Sequence, residues 1–320
     1  MKIYIDCLNN GYASVIEKGF AFLGEAGRIP SGARVAIKPN LTFPVFRKGV
    51  MTNPEAVEAL VVYLKNFTDN ITICESDSGG YNAFSMTEVF TRTGIAHFAK
   101  QYGVKVANMS DMPSRDIRFR YRLRKLSVPL PELLLDETDL FITMPVPKVH
   151  ANTLVSLALK NQWGVIQKPA MRLKLHPFFQ EVIYQVNKAL PRSMAVVDGR
   201  FGLTRNGPMR GDVVDLNWAM ISDNLFMTDR VVSELMGQDF RRIPYLRYIM
   251  RKEGIDRIDS VQFNQSLEAF RSKEFYLHRD WTDIPGLCTF KSRTLAYVGY
   301  ESMLAKPLHW LLYKFREPFY

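Results

Sequence analysis

Short apolar runs rich in valine and isoleucine recur along the chain: KIYIDC, ARVAIKPN, NITICESD, GVKVANMS, DLFITMPVP and SMAVVDG, separated by stretches with helical spacing. Runs of this length bounded by turn residues predict strands, and their alternation with helices predicts an α/β protein, a mostly parallel sheet covered by helices. The helices carry start signals. In TNPEAVEALVVYLKNF, Asn53 is placed to cap, Pro54 to occupy the first turn and Glu55 to meet the positive end of the helix dipole. SMTEVFTRTG offers a capping box from Ser85 to Glu88 and a stop at Gly94. Between about residues 110 and 138 the rhythm breaks. There Arg118, Arg120, Arg122 and Arg124 alternate with Phe119, Tyr121 and Leu123, which predicts an inserted basic β-ribbon subdomain with arginines on one face. From about residue 205 a Gly-Pro-rich loop leads to a further strand and a helix closing at Gly237. The chain reads as one α/β unit over 1–320, with lobes at 1–150, which holds the insertion, and 151–320.

In an open α/β sheet, ligands bind beyond the carboxyl ends of the strands. Those ends carry Lys38-Pro39-Asn40, Glu75-Ser76-Asp77 followed by Gly79 and Gly80, Lys148 with His150, and Asp198-Gly199. Residues 141–177 continue the theme: an apolar segment holds Lys148, His150, Lys160, Asn161, Arg172 and His176. Charged groups are rarely buried unless paired or put to use, so this stretch is either a solvated face or the lining of a site.

Composition narrows the classes. With 47% hydrophobic and 23% charged residues the chain is an ordinary globular protein. The amino terminus has no apolar signal region and no uninterrupted apolar run is long enough to span a bilayer, so neither a signal peptide nor a membrane span is expected. Three scattered cysteines, Cys7, Cys74 and Cys288, fit a reducing, cytoplasmic location, and argue against an iron–sulfur cluster of the chain's own or a structural zinc. A net charge of +10 favours anionic partners. The arginine ribbon is either a solvated face or a docking surface for nucleic acid, acidic lipid or an acidic protein. The aromatic and basic tail KPLHWLLYKFREPFY either packs on the domain or makes peripheral membrane contact.

Seven motifs in order, IKPNL (37–41), TNPEAVEALV (52–61), ICESDSGG (73–80), DLFITMPVPKVHANTLVSLALKNQWG (139–164), RLKLHP (172–177), VVDGRFGLTRNGPMRG (196–211) and ISDNLFMTDRVVSELMG (221–237), resemble the prokaryotic DUF362 family. Many members of that family carry an appended ferredoxin-like iron–sulfur segment, whose cysteines are absent here. The order and spacing of His150, Lys160 and His176, 10 and 16 residues apart, also resemble the lactate racemase family. That resemblance implies a proton- or hydride-managing histidine, a lysine tethering a nickel-pincer nucleotide and a histidine ligand to nickel. Such racemases place a second histidine across the substrate carbon, where this chain has Glu75 and Asp77.

The residues also carry a reading of their own. A histidine titrates near neutrality, so His150 is a candidate general acid or base. Lys160, in the apolar helix expected over LVSLALKNQWG, either loses hydration and becomes a base or nucleophile, or snorkels to water at the helix end. His176 is a candidate metal ligand or a structural histidine. Lys38 and Arg172, with Asn40 and Asn161 nearby, hold a carboxylate or phosphate, or else form surface ion pairs. Glu75 and Asp77 bind a cation, act as a base or cap the following loop. Gly79 and Gly80 suit an anion-binding turn that is neither a Walker A nor a dinucleotide motif. Asp198 heads a Gly-rich connection that forms a lid or a long turn. Two functional classes follow: an enzyme moving a proton or hydride on a small anionic substrate, isomerase-like or redox, and a non-catalytic basic binding module.

Overall fold

The computed structural model describes residues 1–25, 29–78, 84–254, 261–312 and 314–315. Strands form where the apolar runs predict them: β1 (Lys2–Cys7), β2 (Val35–Pro39), β3 (Ile71–Glu75), β4 (Lys105–Asn108), and, after the insertion, β7 (Leu140–Met144) and β10 (Ser193–Thr204). The insertion is a two-stranded antiparallel ribbon of β5 (Ser114–Tyr121) and β6 (Arg124–Pro131). Short strands β8 (Lys148–His150) and β9 (Leu154–Ser156), then β11 (Asp212–Ser222) and β12 (Gln262–Phe263), complete the set.

The main sheet has ten strands, in the order β12-β1-β11-β10-β7-β2-β3-β4, with β8 on β10 and β9 on β8. From β10 to β4 all neighbours are parallel, whereas β11 runs antiparallel to both β1 and β10. The sheet is thus mostly parallel and mixed, and strands from both halves of the chain interleave in it. Side chains alternate across it, as the period of a strand requires. Leu140, Ile142 and Met144 of β7 join one core layer and Phe141 the other. The first layer lies under the helices Gly11–Leu23, Pro54–Leu64 and Ile95–Gln101, the second under Phe179–Ala189, Leu225–Leu235 and Pro244–Glu253.

The expected caps form. The Asn53 side chain accepts from Glu55 N at 3.1 Å with Pro54 in the first turn, and Ser85 Oγ accepts from Glu88 N at 3.2 Å. Three expectations change. The arginine alternation breaks at the ribbon tip, where Arg122 takes a positive φ of 54°. Arg124 therefore falls opposite Tyr121, out of phase with Arg118 and Arg120, and stacks over the Phe178 ring. The Gly-rich connection after Asp198, expected as a lid or a long turn, is mostly strand, because a bulge between Gly199 and Phe201 lets β10 continue to Thr204; the connection to β11 is short. LVSLALKNQWG is not one helix: its first residues pair as β9, and a single helical turn, Ala158–Asn161, precedes a 3-10 turn.

Candidate functional site

Lys38 and Thr143 are register partners at the ends of β2 and β7, so their side chains leave the same face of the sheet. The single helical turn Ala158–Asn161 sits above them. Its Asn161 donates to Thr143 Oγ1 at 2.8 Å and to Lys38 O at 3.3 Å, and accepts from Lys38 Nζ at 3.3 Å. The principal partner of Lys38 is Glu75, at the end of β3, with Nζ 2.6 Å from Oε2 and both side chains buried. The backbone closes over this ion pair at Gly164, where a Cβ would lie 2.9 Å from both Glu75 Oε1 and Lys38 Nζ. A side chain there would have to displace the ion pair. Lys38 is therefore the cation of a buried pair, and the alternative of a surface pair is excluded.

Arg172 is also buried, but as a clamp. Its Nε donates to Ile166 O at 2.7 Å, and its Nη2 to Ser76 Oγ at 2.8 Å and Asp77 O at 2.7 Å. Ser76 Oγ in turn donates to Gly164 O. These bonds pin the loop after β3 to the segment carrying Lys160, so Arg172 is not a surface ion pair either.

Above this floor a cavity of about 690 Å³ opens. Its polar wall includes Lys38, Asn40, Glu75, Lys148, Lys160 and Asn161, with His150, Arg172 and His176 beside them. Its apolar wall comes from the last helices, Ile284–Lys291, Arg293–Tyr300 and Ala305–Leu312, through residues such as Leu295, Val298, Leu308 and Leu311. Gly207, Pro208 and Met209 of the β10–β11 turn close one side.

Cations outnumber anions on this wall. Lys148 Nζ has a backbone partner, Val50 O at 2.8 Å, and no carboxylate partner among the described residues. Burial and the nearby Lys160 and Lys38 push its pKa down to about 7. Lys160 lies 5.8 and 5.7 Å from the ring centroids of Trp163 and Phe179, and no hydrogen bond to it is described. Burial, then Arg172 and Lys38, lower it to about 7 as well. Burial and the same positive field hold His150 well below the ordinary histidine range. His176 falls to about 3 through burial, Lys160 and Arg172. It stacks on Trp163 at 5.4 Å and meets Phe290 from the last helices at 4.7 Å. At neutral pH both histidines are uncharged, while the two lysines are poised between forms.

One hydrogen bond defines what His150 offers. Asn152 N donates to His150 Nδ1 at 3.1 Å, which places the proton of the neutral ring on Nε2. His150 then presents a donor. Lys160, partly neutral at pH 7, is the group able to accept a proton.

Two predicted residues lie elsewhere. Asp77 does not line the cavity: Oδ1 accepts from Met86 N at 2.7 Å and Asn108 Nδ2 at 3.1 Å, bracing the helix Met86–Arg92. Asp198 accepts from Tyr12 Oη and Asn53 N, both at 2.7 Å, tying β10 to the opposite layer. Gly79 and Gly80 lie outside the described residues. For His176 as a metal ligand, no group of three or more His, Cys, Asp or Glu suited to a metal ion occurs among the described residues. The sequence reading passed over Asp229, which is buried and accepts from Leu159 N at 3.2 Å and from Tyr245 Oη at 3.3 Å, anchoring the turn that carries Lys160. An aspartate inside the apolar periodicity of LFMTDRVVSEL was its signal. The contribution of the C-terminal helices to the cavity had no such signal.

Comparison with known proteins adds the following. A thylakoid-associated protein of Synechocystis sp. is 26% identical over 120 residues, 34% of this chain and 36% of that protein, so the match spans about a third of the relative. The lactate racemase apoprotein of Thermoanaerobacterium thermosaccharolyticum superposes with a TM-score of 0.44 at 12% identity, covering 75% of this chain and 57% of that one. A Thermotoga maritima protein superposes with a TM-score of 0.36 at 13% identity, covering 58% of this chain and 50% of that one. Residues 35–234, well over half of the chain, match the family described as a domain of unknown function, DUF362. The chain belongs to the DUF362 family.

Proposed function

We propose that this protein binds an anion with an apolar body in the cavity and moves a proton at an atom beside the anionic group, an isomerase-type reaction. The observation that carries this reading is the pair Lys148, buried, and Lys160, half-buried, neither with a carboxylate partner among the described residues, on the polar wall of a cavity whose opposite wall is apolar. Uncompensated buried cations are costly, and an anionic ligand removes the cost. In this scheme Lys148 holds the anionic head, Lys160 takes the proton, and His150 donates a hydrogen bond from Nε2 to the charge that develops. Asn40 orients the head, and Asn161, whose amide is engaged by Thr143 and Lys38, fixes the floor beneath it. Glu75 pairs with Lys38, and Lys38 adds to the field that acts on Lys160.

A second scheme uses Lys160 as a tether in place of a base: Lys160 and His176 line the same cavity, where Lys160 would tether a nickel-pincer nucleotide and His176 would be its metal ligand. Such a group would supply a hydride acceptor.

The test uses octanoate and octyl phosphate. Isothermal titration is expected to show binding that weakens at least tenfold in Lys148→Met and Lys160→Met. 2-Oxooctanoate, whose C3 protons are acidified by the neighbouring ketone, is expected to exchange those protons in D₂O with the wild type and not with Lys160→Met. Binding of neither probe, or equal binding by the variants, refutes the reading. Intact mass and metal content of natively purified protein test the tethered group.

A further inference from the structure

We propose that the C-terminal segment, residues 281–312 with Lys314 and Phe315, is a docking surface for an anionic lipid bilayer, and that the cavity opens within it. Of the fifteen large apolar side chains recorded as exposed among the described residues, ten lie in this segment. Met303 is 97% exposed and Trp310 63%, with Trp281, Tyr297, Leu304 and Phe315 close behind. Single exposed apolar residues are ordinary, but ten within one segment of three short helices and their flanking turns are a concentration of the kind that marks an interaction site.

Charge selects the occupant. Lys291, Arg293, Lys306 and Lys314 are exposed among these apolar groups. The segment has two acids: Asp283 is buried, and Glu301 is engaged by Lys174 at 2.8 Å. A second copy of the chain seated on this face about a twofold axis would bring like charges together with no acid to pair them. A bilayer with anionic headgroups meets both features: lysines and arginines in the phosphate layer, and Trp, Phe and Leu at the acyl boundary. Trp310, with Lys314 Nζ 3.8 Å from its ring, and Trp281, edge-on to Phe315 at 5.4 Å, have the amphipathic pairing suited to that depth.

The basic ribbon borders the same face. Tyr121 and Arg124 contact Phe178, while Phe290 of the C-terminal helices packs on His176 and Phe179 of the same turn. The cavity mouth belongs to the patch as well, since Trp281, Leu295, Leu308, Leu311 and Phe315 are exposed and also line the cavity. A molecule leaving the lipid surface therefore meets an apolar entrance with a cationic floor. The docking claim stands on the patch itself and does not depend on the proton-transfer reading.

Sedimentation with sucrose-loaded vesicles of phosphatidylcholine, with and without phosphatidylglycerol, tests it. The full chain is expected to bind only vesicles containing phosphatidylglycerol, and to release as salt rises. Trp163 and Trp218 are buried, so a blue shift of tryptophan emission on binding reports Trp281 and Trp310. Lys306→Glu with Lys314→Glu is expected to lower the partition coefficient by at least about twenty-five-fold, about fivefold per lysine. Met303→Glu with Trp310→Glu is expected to abolish binding. None of these four residues lines the cavity, so octanoate titration and the melting temperature stay at wild-type values. The proposal is overturned if the wild type ignores phosphatidylglycerol vesicles at low salt, if both variants bind as wild type does, or if sedimentation velocity shows a dimer that the same substitutions dissociate.

Discussion

Replacing Lys160 with methionine separates the cost of a half-buried cation from its use. Methionine keeps the length and apolar stem of the side chain and its packing on Trp163 and Phe179, and removes the ammonium. The Lys160 pKa falls from 10.5 to about 7. At about 1.4 kcal/mol per unit, the full penalty to the folded state is about 4–5 kcal/mol at pH 6.5. The ammonium opens to the cavity and faces two aromatic rings, each returning about 0.5–1 kcal/mol, so about 2–4 kcal/mol remains as the net gain. For a chain of this length that is a rise in melting temperature of about 3–6 °C. The sign is fixed by linkage. The folded-state value lies below the unfolded one, so between about pH 7 and 10.5 the unfolded wild-type chain binds more protons, and the wild type gains stability as pH rises through that window. The advantage of methionine is therefore complete at or below pH 7, about a third as large at pH 9.5, and absent above about pH 10.5. Thermal melts of both proteins at pH 6.5 and 9.5, read as the difference between them, measure it. A methionine variant less stable than wild type at pH 6.5, by a margin that does not change with pH, refutes the reasoning and assigns Lys160 an ionic partner.

Other outcomes follow from the same geometry. Glu75→Gln leaves Lys38 buried without its anion and is expected to cost about 3–5 kcal/mol in urea unfolding, whereas a loss under 1 kcal/mol shows that the pair is dispensable. Gly164→Ala drives a methyl group into that pair and is expected to lower stability by about 2–3 kcal/mol, with Gly164→Ala in an Glu75→Gln background costing measurably less. Octyl phosphate raises the depressed Lys148 and Lys160 pKa values on binding, so its affinity is expected to be greatest below pH 7 and to fall as pH rises above it, by at most about tenfold per unit for each lysine. Flat affinity from pH 6 to 9 counts against both lysines as anion holders.

Much of the scaffold can be read locally because its causes are local. The valine and isoleucine runs become β2, β3, β7 and β10, and Asn53 and Ser85 cap the helices they precede, since burial period and capping depend on residues a few positions apart. The break at 110–138 is visible for the same reason. The lysine-bearing stretch was harder, because an apolar run of that length suits helix and strand alike, and the pairing of β9 with β8 decided between them.

By itself, the sequence determined the layered α/β architecture, the basic ribbon and the set of polar residues that meet near the carboxyl ends of the strands. Tertiary structure alone decided how those residues divide. Asp198 reaches Asn53 across 145 positions, Asn161 reaches Lys38 across 123, and Arg172 reaches Ser76 across 96. These long-range bonds commit Asp198 and Arg172 to the scaffold and Lys38 to Glu75, leaving Lys148, Lys160 and His150 facing the cavity. The same is true of the roof. A tail of aromatic and basic residues reads alike whether it packs, docks or does both; the packing of its helices over the strand ends places one of its faces on the cavity and leaves another exposed.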